Sequence, residues 1–402
     1  MIITEFLKFT IKNAFKKTRY KFTNLPKISY NKKYGVYIHI PFCKTKCKFC
    51  PFYKEIYNPQ IKKEYLEALK SEILTKDISG KPIWIYIGGG TPNLLNIEEL
   101  NEIISCLKQK ISLPSTGIEL LPELVNTDYL VSLKQIGFTK INLGVESLEL
   151  NVLKSTNRKF VKEEKIEDII KLALDLGLWV NVDMMVGLPH QTEESFLKDI
   201  QKISQIKPSQ VTIYPYMVFK NTQATPSMDP KTQHSLIEEA FLVLKDSGYI
   251  RKSIWTFSLN SDDIYDSSSD ELVCDYIGFG AGAFSTSSKW KIVNPELKAY
   301  LKNHKTKNNL VFLSEKTKLT DTSRYFAKMI YDLNCYYDKN LSFFNFIVFL
   351  LKLRNYSNKT KLTQKGIYFS HEITRTVVES LPLPIQNKNI VENYKDYMEY
   401  IN

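Results

Sequence analysis

From Val36 onward the chain alternates between two apolar periods. Short runs rich in β-branched and aromatic residues, at 36–40, 83–87 (Ile-Trp-Ile-Tyr-Ile), 118–121, 140–143, 179–184 and 211–216, predict strands. Between them, segments 61–77, 96–110, 127–136, 163–176 and 193–205 carry apolar residues at i, i+3 and i+4. That is the spacing of a helix with one buried face. Six strand–helix units in alternation imply a parallel sheet with right-handed crossovers. Such a sheet can curl into an open, partial (β/α)6 barrel, whose reactive groups gather at the C-terminal strand ends.

The flanks follow other patterns. Residues 2–22 place Ile3, Phe6, Leu7, Ile11 and Phe15 at near-helical spacing among lysines and Arg19. This predicts a basic amphipathic helix that either packs its apolar stripe on the barrel or makes a peripheral contact with an anionic membrane. Pro26 and the stretch 27–33 then form a linker. Residues 291–402 are rich in lysine and tyrosine, and their most apolar stretch is 343–351. It is too short to cross a bilayer and predicts a core helix of a small C-terminal α+β domain, or a wall of a hydrophobic substrate pocket. The expected organisation is an α/β protein in three parts: leader and linker 1–34, barrel core with its extension 35–290, and C-terminal domain 291–402.

Composition narrows the class. With 402 residues, 43% apolar and 24% charged, the chain has the profile of a soluble globular protein. Six cysteines in this length are too few for a secreted disulfide scaffold and fit a reducing cytoplasm. No apolar run approaches the ~18 residues of a membrane span, and lysines interrupt the N-terminus where a signal peptide needs an uncharged core. The net charge is +12, but residues 1–33 carry nine Lys/Arg against Glu5 alone, so eight of those charges sit in the leader. No nucleic-acid partner is expected from the remaining body.

The chemistry concentrates after the first strand. Cys43, Cys47 and Cys50 stand at C-x3-C-x2-C on a loop that Pro41 opens. Three thiolates are one short of closing a tetrahedral zinc site or of ligating every iron of a cubane. A three-thiolate [4Fe–4S] cluster leaves one iron open for a small molecule. A zinc knuckle lacks its fourth ligand here, since the nearest histidine, His39, lies on the strand. Cys106, Cys274 and Cys335 stand singly and are expected as small buried hydrophobes.

Further motifs end the later strands. Gly88-Gly89-Gly90-Thr91-Pro92 follows the second, where glycines let the backbone approach the amino group and carboxylate of a methionine-type ligand, or simply turn. Glu119 ends the third, either for ribose hydroxyls or as a salt-bridged barrel carboxylate. Gly144-Val145-Glu146-Ser147 ends the fourth, and Arg158 beyond it suits a carboxylate, bidentately, or a surface ion pair. Asp183 precedes Gly187-Leu188-Pro189 at the fifth and is placed to orient a nucleoside or substrate.

Together with Tyr37 to Phe52 and Tyr276-Ile277-Gly278-Phe279-Gly280-Ala281-Gly282-Ala283-Phe284-Ser285, these motifs resemble the oxygen-independent coproporphyrinogen III oxidase family of radical S-adenosylmethionine (SAM) proteins. That family includes the oxidase, a heme chaperone, an anaerobic heme-opening enzyme and the class C methylases. The resemblance covers about residues 34–290, and Leu362-Thr363-Gln364-Lys365-Gly366 is similar to the family's winged-helix-like ending. It implies a [4Fe–4S] cluster on Cys43, Cys47 and Cys50, and one or two SAM molecules. SAM contacts are implied for Phe49, Gly89, Gly90, Thr91, Glu119, Glu146, Arg158, Asp183 and Met185. Tyr37 and His39 are implied as catalytic groups facing the same cavity. Reductive cleavage of SAM to a 5′-deoxyadenosyl radical, fed by a flavodoxin- or ferredoxin-type electron donor, is the implied reaction.

Departures from the family pattern select among its members. Phe52 stands where the oxidase has a further cysteine, and Trp255-Thr256-Phe257 replaces its Asp-His-Phe stretch. The chaperone's His-Asn-x-x-Tyr-Trp motif has no counterpart between Phe257 and Asp275. The expectation is therefore class C-type methylation of an aromatic or hydrophobic carbon. Oxidase or ring-opening chemistry on a tetrapyrrole, and heme carriage without catalysis, are the alternatives.

Overall fold

A computed structural model describes residues 2–28, 33–78, 81–259, 274–316, 328, 331–333, 349, 351–358, 361–380, 384, 385 and 387–402. Helix α1 (Ile2–Lys16) leads into strands β1 (Lys21–Asn24) and β2 (Lys33–Ile40), and two short strands, β3 (Phe42–Cys43) and β4 (Glu55–Ile56), bracket the cysteine loop. The repeating part runs α2 (Pro59–Thr75), β5 (Lys81–Gly89), α3 (Ile97–Lys108), β6 (Ser115–Leu120), α4 (Thr127–Ile136) and β7 (Lys140–Glu146). It continues with α5 (Leu150–Ser155), α6 (Glu163–Asp175), β8 (Trp179–Val186), α7 (Glu193–Ile206), β9 (Gln210–Pro215) and α8 (Pro230–Asp246). Then come β10 (Ile250–Arg251), β11 (Thr256–Ser258), β12 (Asp275–Phe279), β13 (Phe284–Thr286), β14 (Trp290–Val293) and β15 (Leu310–Glu315).

All six expected strands form, and the five expected helices lie within about two residues of their sequence limits. The starts are chemically marked. Asn58, Asn126 and Thr192 cap α2, α4 and α7, and Asn96 with Glu99 forms a reciprocal capping box on α3. The strands join one 13-stranded sheet in the order β1-β15-β14-β13-β12-β2-β5-β6-β7-β8-β9-β11-β10.

Three features extend the six-unit reading. Strand β12 pairs in parallel with β2, so the parallel run has seven strands. Antiparallel strands β13, β14, β15 and β1 extend that edge, and β11 and β10 extend the other. The leader is helical only to Lys16, after which β1 pairs with β15. The boundaries expected at 34 and 290 therefore fall inside β2 and β14, because the sheet runs through both.

Strand alternation divides the sheet into two chemistries. Val36, Ile38, Ile40, Ile85, Ile87, Ile118, Leu120, Ile141, Leu143, Val180, Val182, Val211 and Ile213 are buried in one core with the apolar faces of the helices. The intervening positions, among them His39, Glu119, Asn142, Glu146, Asn181, Asp183 and Thr212, lie on the opposite face. Several hydrogen bond to one another there. The barrel interior is polar.

Beyond β15, a two-strand hairpin (Ser357–Asn358 with Lys361–Leu362) leads to the helix Gln364–Glu379. Helix α1 packs on that helix, with Leu7, Ile11 and Phe15 buried and Lys8 Nζ 2.5 Å from Glu372, and its Phe15 ring also meets Lys291 of β14. The expected apolar segment 343–351 lies outside the described residues except for Phe349 and Leu351, and Cys335 lies outside them too. Among the described residues, no helix is long and apolar enough to cross a membrane.

Candidate functional site

The cysteine loop leaves the C-terminal end of β2 and is held at several points. Glu55 N–H donates to Pro41 O (2.6 Å), Lys48 N–H to Thr156 O (3.1 Å) and Gln223 N–H to Lys48 O (3.0 Å). Cys43 is buried, and the Thr91 hydroxyl donates to its sulfur at 3.4 Å. Burial pushes the Cys43 thiol up to about 11, and the nearby Cys50 and Cys47 push it the same way. Burial also raises Cys47, opposed by Arg158, whose Nη1 is 3.9 Å from its sulfur. Cys43 is buried and Cys47 and Cys50 are half-buried, and three soft donors on one loop are the donor set of an iron–sulfur cluster, whose metal charge would remove the thiol protons. The residues present fit such a cluster.

The glycine turn at the end of β5 lies against this loop. Gly90 N–H donates to Ile40 O at 2.7 Å, and Gly89 N–H to Glu119 Oε2 at 3.1 Å. Gly89 has φ +112°, and a Cβ there would stand 2.7 Å from the His39 ring. Only glycine fits both demands. His39 is itself buried and fixed at both nitrogens: Nδ1 lies 3.0 Å from the Tyr37 hydroxyl and Nε2 3.0 Å from Tyr53 O. Burial lowers its pKa to about 4, so the ring is neutral at pH 7. A carbonyl can only accept, which makes Nε2–H the donor and Nδ1 the acceptor of the Tyr37 proton.

Three carboxylates converge from β6, β7 and β8. Each keeps a little surface open to the barrel mouth while the surrounding protein excludes bulk water. Burial pushes Glu119 up to about 7, Asp183 up to about 8, and Glu146 in the same direction. Glu146 adds its charge against both of the others. Asp183 accepts from Asn142 Nδ2 (2.6 Å) and Asn181 Nδ2 (2.8 Å), and the Thr212 hydroxyl steadies Asn181 Oδ1 (2.9 Å). Arg158 Nη2 meets Glu146 Oε1 at 3.3 Å and donates to Gly144 O. A bulge between Gly144 and Glu146 and the unusual φ of +66° at Glu146 aim that side chain. Phe49 and Met185 meet elsewhere in the mouth, in an apolar cluster with Val152, Leu188 and Tyr216.

Gly89, Glu119, Glu146, Asp183 and Met185 lie in the C-terminal halves of their strands, Tyr37 lies within β2, Phe49 on the cysteine loop, and Arg158 on the turn between α5 and α6. Arg158 is not the surface ion pair that was its alternative, since its side chain and that of Glu146 are only 13% and 12% exposed. Asn142, Asn181 and Asp199 were not foreseen. Asp199, buried on α7, accepts from Ser147 Oγ (2.7 Å) and Leu148 N–H (3.0 Å) and anchors the turn after Glu146. The polar interruptions of the β7 and β8 runs carried the signal for the two asparagines.

Comparison with known proteins decides the family. The chain aligns over 297 residues, 70% of its own length and 76% of the other's, with the heme chaperone HemW of Buchnera aphidicola (subsp. Acyrthosiphon pisum), at 30% identity. The protein belongs to the radical SAM family of coproporphyrinogen III oxidase-like and heme chaperone proteins. The radical SAM superfamily profile matches residues 37–203 of this radical SAM protein. The oxygen-independent coproporphyrinogen III oxidase of Escherichia coli is 28% identical over 230 residues, which are 54% of this chain and 50% of that protein. The chain thus matches only about half of that oxidase. The solved structure of E. coli coproporphyrinogen III oxidase superposes with a TM-score of 0.75, covering 90% of this chain and 96% of that one at 22% identity, a likeness of fold. The radical SAM family to which the chain belongs uses a [4Fe–4S] cluster and SAM.

Proposed function

We propose that this enzyme holds its cluster on Cys43, Cys47 and Cys50, binds SAM across the ends of β5 to β8, and acts on a tetrapyrrole. The observation that carries this is the convergence of three mutually interacting thiols with three buried carboxyls, Glu119, Asp183 and Glu146, of which Glu146 is opposed by Arg158. When bound, the cluster supplies one electron that cleaves SAM and frees a 5′-deoxyadenosyl radical. The chain's own residues bind and orient. Arg158 exchanges Glu146 for the SAM carboxylate, to which its planar fork is better matched. Gly89, Gly90 and Thr91 present backbone to the methionyl end, Glu119 and Asp183 take the ribose hydroxyls, and Phe49 and Met185 cover the base. Tyr37 directs its proton toward His39 Nδ1, and His39 keeps it oriented.

The tetrapyrrole reading is supported by the relatives, which are named for coproporphyrinogen and heme. The methyl-transfer expectation loses its residues. Trp255 donates its indole N–H to His371 at 3.3 Å, Phe257 stacks on Phe241, and Thr256 sits in β11 beside β9. All three are spent in packing. Heme carriage remains the second reading, because the chaperone alignment covers 76% of that protein. Leu7, Ile11 and Phe15 of the leader are spent in packing, and no membrane contact is proposed. A cytoplasmic setting suits the reduced thiols.

The test is anaerobic reconstitution followed by dithionite and SAM. Wild-type protein is expected to hold close to four irons per chain and to release 5′-deoxyadenosine, faster with coproporphyrinogen III present. Cys43→Ala is expected to lose the cluster, whereas Cys106→Ala keeps it. Four irons in Cys43→Ala would overturn the ligand set. Tight heme binding without SAM cleavage would establish carriage instead.

A further inference from the structure

The apolar part of the mouth is held from outside the barrel. Met185, Leu188 and Tyr216 are buried together, with Phe49 of the cysteine loop packed against them. They come from the end of β8, the turn after it and the residue after β9. Gln191 fastens that turn from within. Its Oε1 accepts from Gly187 N–H (2.7 Å) and Leu188 N–H (3.2 Å), and its Nε2 donates to Met185 O (3.1 Å). Tyr216 N–H donates to Val186 O at 2.8 Å and ties the two strand ends together. Gln233 of α8, itself buried, lies directly over the turn. Gly187 has φ +89°, and a Cβ there would collide with the Gln233 amide. Gln233 Nε2 donates to Met228 O (3.0 Å), and its Oε1 accepts from Arg375 Nη1 at 2.9 Å. Arg375 Nη2 donates in turn to Tyr216 O at 3.3 Å. One guanidinium of the helix Gln364–Glu379 thus bridges the α8 and β9 sides of the wall. Its Nε donates to Glu379 Oε1 (2.9 Å), and one turn earlier His371 meets Glu238 of α8, so this face of the helix is itself docked on the barrel.

We propose that Arg375 is a positioning residue for SAM, which from the C-terminal helix fixes the apolar wall that takes the base. The inference rests on the reading of Phe49 and Met185 as the cover of the base, and it adds what holds that cover in place. Arg375 acts through Gln233 and Tyr216 rather than through the ligand. A planar fork suits the task, because its two Nη groups meet acceptors from two different elements at once in a fixed geometry. Losing it takes this donor from Gln233 Oε1 and Tyr216 O, which belong to buried residues. A wall already held in its bound position binds a ligand without an ordering cost, and that advantage goes with the bridge. The methionyl end is assigned to Arg158 and the glycine turn, to which Arg375 has no bond. The loss should therefore fall on the adenosine half of the ligand.

The experiment uses the full-length reconstituted enzyme, with its cluster oxidised so that no SAM is consumed. Equilibrium dialysis measures radiolabelled SAM, and competition with it measures 5′-deoxyadenosine, which keeps base and ribose, and methionine, which has neither. Arg375→Ala is expected to keep the wild-type iron content and to bind SAM about tenfold more weakly. Its affinity for 5′-deoxyadenosine should fall by the same factor, and its affinity for methionine should stay at the wild-type value. Arg375→Lys keeps the charge without the fork and is expected to lose about threefold or more. Lys8→Ala, which removes a different contact of the same helix, is expected to bind SAM as wild type does. Wild-type SAM affinity in Arg375→Ala overturns the proposal. So does an equal loss for methionine, or an equal loss in Lys8→Ala, since either would mean a general loosening. If Arg375→Ala fails to fold, Arg375→Lys decides, and wild-type affinity there overturns the bridge. A wild-type protein that holds a cluster but binds no SAM would instead refute the functional reading, and this inference with it.

Discussion

Among the described residues, two clusters of buried charge are treated in opposite ways. At the barrel edge, Glu238 of α8 accepts from Arg251 Nη1 (2.8 Å) and Nη2 (2.5 Å) and pairs with His371 Nε2 (3.0 Å), while Trp255 donates to the other nitrogen of that ring. Burial alone would raise the Glu238 carboxyl, but Arg251 and His371 outweigh it and hold it near 2. In the mouth, burial wins: Glu119 rises to about 7 and Asp183 to about 8. The first cluster answers its own charge and joins the barrel to the helix Gln364–Glu379. The second leaves charge wanting a partner, which is the mark of a site prepared for a ligand.

The largest expected effect comes from breaking the satisfied cluster. Glu238→Ala strands the Arg251 guanidinium in the interior and is expected to cost about 3–5 kcal/mol, read as a lower urea midpoint at pH 7. The sign with pH is fixed. A carboxyl whose pKa falls from 4.5 unfolded to about 2 folded contributes stability that is complete above about pH 4.5 and fades as pH drops toward 2. The gap between variant and wild type should therefore narrow in acid. An unchanged gap at pH 3 would mean that Glu238 is not held ionised by its partners.

Removing charge from the mouth should act the other way. Asp183 is raised from 3.8 to about 8, so its ionised form opposes folding, with a penalty that sets in above pH 4 and grows until about pH 8. Asp183→Asn removes it. The variant is expected to unfold at the wild-type temperature near pH 4 and a few degrees higher at pH 8, about 1 kcal/mol or more in a domain of this size. SAM affinity should fall at the same time, as ligand-ready charge is lost. A variant less stable than wild type at pH 8 would place Asp183 among the structural charges.

The mouth was far more legible in the sequence than the edge cluster. Each mouth residue ends a strand whose period-2 pattern is plain, so Glu119, Glu146 and Asp183 are conspicuous as acids within apolar runs. Glu238, Arg251 and His371 meet across 133 residues, from helices and a two-residue strand whose individual patterns are ordinary. Strand β12 escaped because Gly278 interrupts a five-residue run whose fellow aliphatic and aromatic members also fit a motif. Strand β1 escaped because its residues continue the apolar spacing of α1, and its pairing partner β15 lies nearly 300 residues away. Local pattern reports what a segment buries and is silent on what it meets.

The smallest effect belongs to the Lys8–Glu372 pair, 2.5 Å apart between α1 and the helix Gln364–Glu379. Their side chains are 22% and 32% exposed, so water screens the pair, in contrast to Arg251 and Glu238 at 7% and 11%. Lys8→Ala is expected to cost no more than about 1 kcal/mol, and 1 M salt should erase the difference. The apolar stripe beside it carries the contact, and Leu7→Ala is expected to cost about 2–5 kcal/mol, with no dependence on salt. Comparing urea midpoints of the two variants at low and high salt separates the contributions. A salt-insensitive loss above about 3 kcal/mol in Lys8→Ala would mean that this pair is as dry as Glu238–Arg251. The helix contact would then be a second charge-locked joint, not an apolar one trimmed with charge.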